Sequence, residues 1–391
     1  MKKLLKIFFL LTLVCSICVL FLTSCTDNSL AENTTNSAET TESSSTTGNN
    51  QKPGSAEGLE GLSYTVNPDG KTCTLVKRGS YEGTVLVIPE VLDGYTVTAI
   101  EAGALSNSSN LESVKIPNTV TRIGARAFSQ CRNLTTIEIP ESVTTIGAAA
   151  FSWCYKLKSI VIPDSVTVLG ISETGSTGWE SDGIFYECRG LEKVVIGDGV
   201  TTIGSYAFYN CVTLTDVTLG NGIRQIGLWA FYTCSRLENI ELPEGLTMLG
   251  DEVFYNCRSL KSIKIPDSVT SLGGHVFWKC IELESAELGN GITSIPGLTF
   301  GNCNKLTDVK LGDRLETIER YAFESCVALP SIELPESLKI IEGYAFNCHV
   351  LTSMNYKGTK EQWAAIQIDP NWKQGSYELK TVICSDGEIS V

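Results

Sequence analysis

The 391-residue chain has only two histidines and three methionines. The histidines, His275 and His349, stand far apart, and beyond residue 25 no cysteines occur as Cys-x-x-Cys. A protein zinc site needs four convergent ligands, usually with Cys or His pairs at close spacing. No metal is therefore expected, and nothing suggests any other cofactor. The Gly-x-Ser-x-Gly elbow, the Walker loop and His-Glu-x-x-His are missing too. The acids stand mainly at turns, as Asp164, Glu244 and Asp267 do, where local hydrogen bonds occupy them. A carboxylate pair for glycoside hydrolysis has no sequence signature, and the sequence offers no residues to name for one. The expectation is a protein that is not an enzyme. Bases are in the minority, 30 Lys and Arg against 44 Asp and Glu, for a net charge of −14. That sign repels phosphate backbones and anionic headgroups, so no nucleic-acid partner is expected. After Leu22 there is no long apolar run, and nothing later is expected to span a membrane.

The one long apolar run lies at the start. Lys2, Lys3 and Lys6 precede Ile7 to Leu22, which is almost wholly apolar yet short of the roughly 20 residues of a stable span. It ends in Leu22-Thr23-Ser24-Cys25. That tetrad resembles the lipobox of bacterial lipoproteins. The resemblance implies a signal peptide over 1–24, cleaved before Cys25, with the Cys25 thiol lipidated and the chain exported. Two acyl chains make a stable anchor where one is marginal. Residues 25–58 are mostly Thr, Ser, Asn, Glu, Ala and Gly, which cannot bury enough surface to offset the entropy of ordering. A flexible tether is expected there, on the order of 30 Å end to end. Membrane contact is expected through the N-terminal lipid alone.

Self-similarity governs the rest. Cysteines stand at 131, 154, 188, 211, 234, 257, 280, 303, 326 and 348, nearly all 23 residues apart. Phe128 precedes Cys131 by three places, and Phe151, Phe185, Phe208, Phe231, Phe254, Phe277, Phe300 and Phe323 precede their cysteines likewise. One unit reads Cys188, Leu191, Val194, Ile196, Gly197, Val200, Ile203, Gly204, Ala207, Phe208. Val194 and Ile196 alternate with Lys193 and Val195, the period of a strand with one buried face. Pro163-Asp164-Ser165 or Gly220-Asn221-Gly222 then turns the chain. A second short extended piece carries Val200 and Ile203. The spacing of Ala207, Phe208 and Cys211 predicts a short helical turn that buries all three. One such unit cannot close a core, whereas a stack buries a continuous one.

The repeated Cys-x-x-Leu-x-x-Ile-x-Ile-Pro and Ile-Gly-x-x-Ala-Phe resemble the BspA-like class of leucine-rich repeats over roughly residues 59–391. The resemblance implies a repeat solenoid of short strands and short helical turns with caps at both ends. The N-terminal cap and first partial repeat are placed at 59–104, the repeats at 105–351 and the C-terminal cap at 352–391. Departures from the repeat are few. Pro296 and Glu319 replace the glycine after the Ile position, which suggests local bends there.

Fifteen cysteines in an exported chain would ordinarily suggest disulfides. Equivalent residues of adjacent coils, however, lie about 4.7–4.9 Å apart, whereas a bridge wants Cβ atoms at roughly 3.8 Å. A buried column of free thiols is expected. Two features rise above the repeat. The first is an insertion at 171–183, where Trp179 stands among Gly, Ser and acids; insertions of this kind form loops on one face. The second is an aromatic column: Tyr186, Tyr209, Tyr232, Tyr255 and Trp278 each follow a core Phe, and Trp229 stands two places before one. These residues are expected to face outward, as candidate ligand contacts together with Trp179. Tyr and Trp supply contact area at little entropic cost, although stacked rings also serve simply to cover one another. The BspA-like resemblance implies a cell-surface adhesion or binding protein whose partners are host or bacterial surface proteins or glycans. The alternative is a lipoprotein that captures glycan or peptide for a transporter or partner enzyme.

Overall fold

The computed structural model describes residues 61–171 and 183–391. The leader, Cys25, the tether and residues 172–182, Trp179 included, lie outside the described residues. Among those described, every repeat is one coil of a solenoid with three sides. On the first side, strands such as Ser262–Ile265, Ser285–Leu288 and Asp308–Lys310 pair in parallel, each residue meeting the one 23 places on: Ile263 with Ala286, Ala286 with Val309. Ile263 and Ile265 point into the core while Ser262 and Lys264 point out, as the alternation requires. A turn then brings the chain to the second side, where shorter strands stack in the same way, Thr202–Ile203 on Gln225–Ile226 on Met248–Leu249 on Ser271–Leu272. The first ladder is interrupted at residues 238–242, where Ile240 and Leu242 are buried as usual but no strand forms.

The third side corrects the expected helical turn. It holds no helix; among the described residues the one α-helix is Lys360–Ala364, in the C-terminal closure. Instead, successive amides bond alternately within the coil and to the next one. Ala207, Tyr209 and Cys211 donate to the carbonyls of Gly204, Tyr206 and Phe208, while Tyr206, Phe208 and Asn210 donate to Leu228, Ala230 and Tyr232 of the following coil. This alternation needs a left-handed residue two places before and two places after the phenylalanine, and Tyr206 and Asn210 have φ of 59° and 60°. Trp229, Glu252, His275, Tyr321 and Tyr344 share the first of these positions. A bulky residue there is strained by about 1–3 kcal/mol, tolerable where surrounding bonds over-determine it. Here, bonds to the neighbouring coil hold it from both sides.

Packing explains the phenylalanines and cysteines. Phe128 through Phe346 are fully buried and stack ring on ring at 5.0–5.7 Å. The cysteines are buried and free. Each also has work beyond filling space: the Cys234 Sγ donates to the Phe208 carbonyl at 3.3 Å and Cys257 to Phe231 at 3.2 Å, and the pattern repeats along the column. From Phe128 to Phe300 each phenylalanine carbonyl thus accepts twice, from the amide of its own coil's cysteine and from the thiol of the next. Alanine would lack the donor.

Both ends are closed. Ser63–Val66 pairs antiparallel with Thr72–Lys77, which begins the parallel ladder with Cys73 and Leu75 wholly buried. At the other end Trp372 meets the Phe346 ring edge-on at 5.9 Å, Trp363 packs on Trp372, and Gly387–Ser390 pairs antiparallel with Thr381–Cys384. At Pro296 the second-side ladder is interrupted: Ser271–Leu272 ends one run of paired strands and Ser294–Ile295 begins the next, because proline lacks the amide that Gly250, Gly273 and Glu319 donate to the coil before. The ladder then runs through the Glu319 coil from Ser294 to Thr317 to Ile340, and the Glu319 carboxylate accepts hydrogen bonds from Ser294 Oγ (3.0 Å) and the Gly297 amide (3.1 Å).

Candidate functional site

The third side, the turn face, brings most of the predicted aromatics together. Left-handed backbone at one position and the following turn at the other set two parallel rows on it. The row after the phenylalanines runs Tyr186, Tyr209, Tyr232, Tyr255, Trp278. Tyr186 stacks on Tyr209 at 4.9 Å, Tyr209 on Tyr232 at 4.8 Å and Tyr232 on Tyr255 at 4.5 Å, all within 7° of parallel. The row before them runs Tyr206, Trp229, Glu252, His275. Trp229 lies 5.7 Å from Tyr232 and edge-on to Tyr206 at 5.0 Å, and His275 lies 5.2 Å from Trp278.

These rings face outward only in part and are half-buried. The tyrosines spend their faces on one another and offer edges and hydroxyls. The stack breaks at Trp278, which meets Tyr255 at 86°. Two further residues belong to the surface. Trp153 extends it upstream, edge-on to Tyr186 at 5.2 Å, and sequence reasoning passed over it because it stands two places after its phenylalanine. Glu252 was missed because only aromatics were sought in its row; the signal was a carboxylate where neighbouring coils have Tyr206, Trp229 and His275.

Burial pushes up the phenol of Tyr232, with the neighbouring Tyr255 and Tyr209 adding to it, and raises Tyr209 likewise. Burial also raises Glu252, while the Trp229 indole and His275 oppose the rise. The Trp229 N–H acts on the carboxylate without reaching hydrogen-bond alignment; it and the Trp278 N–H are buried donors with no partner. Such a group costs about 1–3 kcal/mol. The Lys279 ammonium lies over Trp278 (5.2 Å) and Tyr255 (5.6 Å).

Trp179 lies outside the described residues, but the end of its insertion is in place. Gly183 lies so close to Tyr206 that a Cβ there would meet the Tyr206 carbonyl oxygen at 2.0 Å, so only glycine fits. The insertion therefore returns to the solenoid beside the aromatic rows.

The first side carries the rival surface, a groove of about 680 Å³ lined by Lys264, Glu287, Asp308, Lys310, Glu333 and Lys357. Its cations are already engaged: Lys264 with Glu244 (3.8 Å), Lys310 with Glu287 (3.7 Å), Lys357 with Asp313 and Glu333 (3.1 Å each). Among the described residues no group of three or more His, Cys, Asp and Glu is placed to hold a metal ion, and no helix is long and apolar enough to cross a membrane.

The family model for the BspA type leucine rich repeat region matches in six copies, over residues 88–173, 181–284 and 270–363. A leucine-rich repeat protein from Bacteroides ovatus is similar in structure, at 30% identity over 83% of this chain and 93% of its own, with a TM-score of 0.52. A leucine rich cell surface protein from Faecalibacterium prausnitzii aligns at 27% identity over 82% of this chain and 99% of its own, with a TM-score of 0.49. No curated protein sequence matches significantly. The repeat, the coil and these matches agree, and the chain belongs to the BspA-type leucine-rich-repeat family.

Proposed function

We propose that this chain is an exported surface protein, anchored through lipid on Cys25, that binds a macromolecule on host or bacterial surfaces with the turn face of its solenoid. The observation that carries this reading is the half-buried aromatic rows over Tyr186–Trp278, set on a backbone held from both sides. Aromatic residues on a rigid base form contacts at little entropic cost. Ring faces covered by other rings leave a sugar few places to stack, which favours a protein partner over a glycan. The groove on the first side is the weaker candidate, because a ligand there must displace ion pairs the protein already makes.

The test is a panel of purified host matrix proteins and an oligosaccharide array, screened with the compact unit Ser55–Val391. Against the tightest binder, Tyr232→Ala with Tyr255→Ala is expected to lose about 2 kcal/mol, roughly thirtyfold in affinity. A Tyr232→Phe, Tyr255→Phe pair keeps the stack and isolates the hydroxyls. Full affinity in the alanine pair, with Thr218→Ala, Glu241→Ala on the first side abolishing binding, would overturn the assignment. The anchor has its own test. Cys25→Ala should abolish incorporation of labelled acyl chains and release the protein from the membrane; unchanged retention refutes lipidation.

A further inference from the structure

Glu252 is a half-buried carboxylate set among these rings. Left-handed backbone at Trp229, Glu252 and His275, with φ between 53° and 58°, puts the three side chains in one row. Beside them run Tyr232, Tyr255 and Trp278, so Glu252 sits at the centre of a two-by-three grid whose other five members are rings. From this placement we infer that Glu252 is the seat for a cationic side chain, arginine or lysine, of the partner protein. The inference rests on the reading of the turn face as the binding surface and names what that surface recognises.

Three observations support it. First, Glu252 lacks a lysine or arginine partner. Glu187, elsewhere on this face, is held by Arg189 (2.5 Å) and Asn210 (2.8 Å), and Glu244, Glu287 and Glu333 on the first side are paired with lysines. Among the described residues no lysine or arginine pairs with Glu252; the groups acting on it are the Trp229 indole, His275 and Asp251. A half-buried carboxylate without a counter-ion carries a desolvation cost that an incoming cation removes. Second, rings of this face already attract the chain's own cations. Lys279 lies over Trp278 and Tyr255, and Arg320 lies over Tyr321 (5.1 Å) and Tyr344 (5.4 Å). Where the stack breaks, as at the edge-on meeting of Trp278 with Tyr255, an open ring face attracts a cation by cation–π in addition to charge. Third, the strain at Glu252 is spent on a charged residue where neighbouring coils have Trp229 and His275, and no lysine or arginine pairs with it among the described residues.

The experiment uses Ser55–Val391, a single compact unit that encloses its own core, with carbon-13 in its glutamate carboxyls and nitrogen-15 in its tryptophan indoles. The Glu252 signal is assigned by its loss in Glu252→Gln. Capped arginine amide is the probe, and capped citrulline, its neutral isostere, is the control. The expected result is a saturable shift of the Glu252 carboxyl and the Trp229 indole with arginine, little with citrulline, and no indole shift in Glu252→Gln. Equal shifts with citrulline, or shifts in Glu241 as large as in Glu252, would overturn the inference. With a protein binder from the panel, Glu252→Gln should weaken affinity roughly tenfold or more, the value of a hydrogen bond to a charged group. Full affinity in Glu252→Gln alongside lost affinity in the Tyr232, Tyr255 alanine pair removes the cation seat and leaves the turn face standing. Binding that survives both but fails with the first-side pair removes the turn face itself.

Discussion

Between pH 9 and pH 12 the solenoid is expected to lose its stability steeply. Burial raises the thiols of Cys154, Cys188, Cys211, Cys234, Cys257, Cys280, Cys303 and Cys326 above the ordinary value of 9.0, Cys188 to about 12. A group whose folded value is raised contributes its full stabilisation below the unfolded value and loses it as the pH climbs toward the folded one. Above pH 9 each unfolded thiol gives up a proton that the folded chain keeps, at about 1.4 kcal/mol per pH unit per group. Eight such thiols amount to roughly 11 kcal/mol per pH unit, as much as the whole stability of an ordinary domain. The urea midpoint should therefore be level up to about pH 8.5 and fall sharply beyond it. Thiol reagents at neutral pH should label these cysteines only after denaturation. A level midpoint to pH 10.5, or several inter-coil disulfides found by mass spectrometry, would contradict a column of free buried thiols.

Removing one ring from the phenylalanine column should do the greatest damage of any single substitution. Phe231 is fully buried and stacks on Phe208 at 5.0 Å and Phe254 at 5.4 Å. Phe231→Ala loses its transfer free energy and leaves a cavity, together about 3–5 kcal/mol. Each coil of a solenoid is held only by its neighbours, so both interfaces of the coil weaken together. Urea unfolding should show that loss and separate into two transitions, one for the coils on each side. A single transition with less than about 1 kcal/mol lost would mean that the column is not what couples the coils.

The contrast between these residues and the turn face shows which parts of the molecule were legible. Phe231, Cys234 and Ile226 recur at a fixed spacing, and period alone places them inside, because an isolated coil has nowhere else to bury them. The left-handed backbone at Tyr206 and Trp229 has no such signature. Neither residue prefers a positive φ; bonds to the neighbouring coil impose it, and those form only once the coils stack. The spacing of Ala207, Phe208 and Cys211 suggests a helical turn for the same reason, since burial of the right residues does not distinguish a helix from two successive turns. The S–H bonds of the buried thiols to the preceding coil's carbonyls likewise emerge only from the stack. The aromatic rows and their stacking are legible in the sequence, whereas the turn of Trp278 edge-on to Tyr255 is not.

Hydroxyl-radical footprinting of Ser55–Val391, alone and with the tightest binder of the matrix-protein panel, tests the central claim most directly. Tyr209, Tyr232, Tyr255 and Trp278 are expected to gain protection in the complex, while Val161 and Lys264 on the first side stay as reactive as in the free protein. Protection confined to Val161, Lys264 and Lys310, with the tyrosine row unchanged, would contradict it and place recognition on the stacked strands.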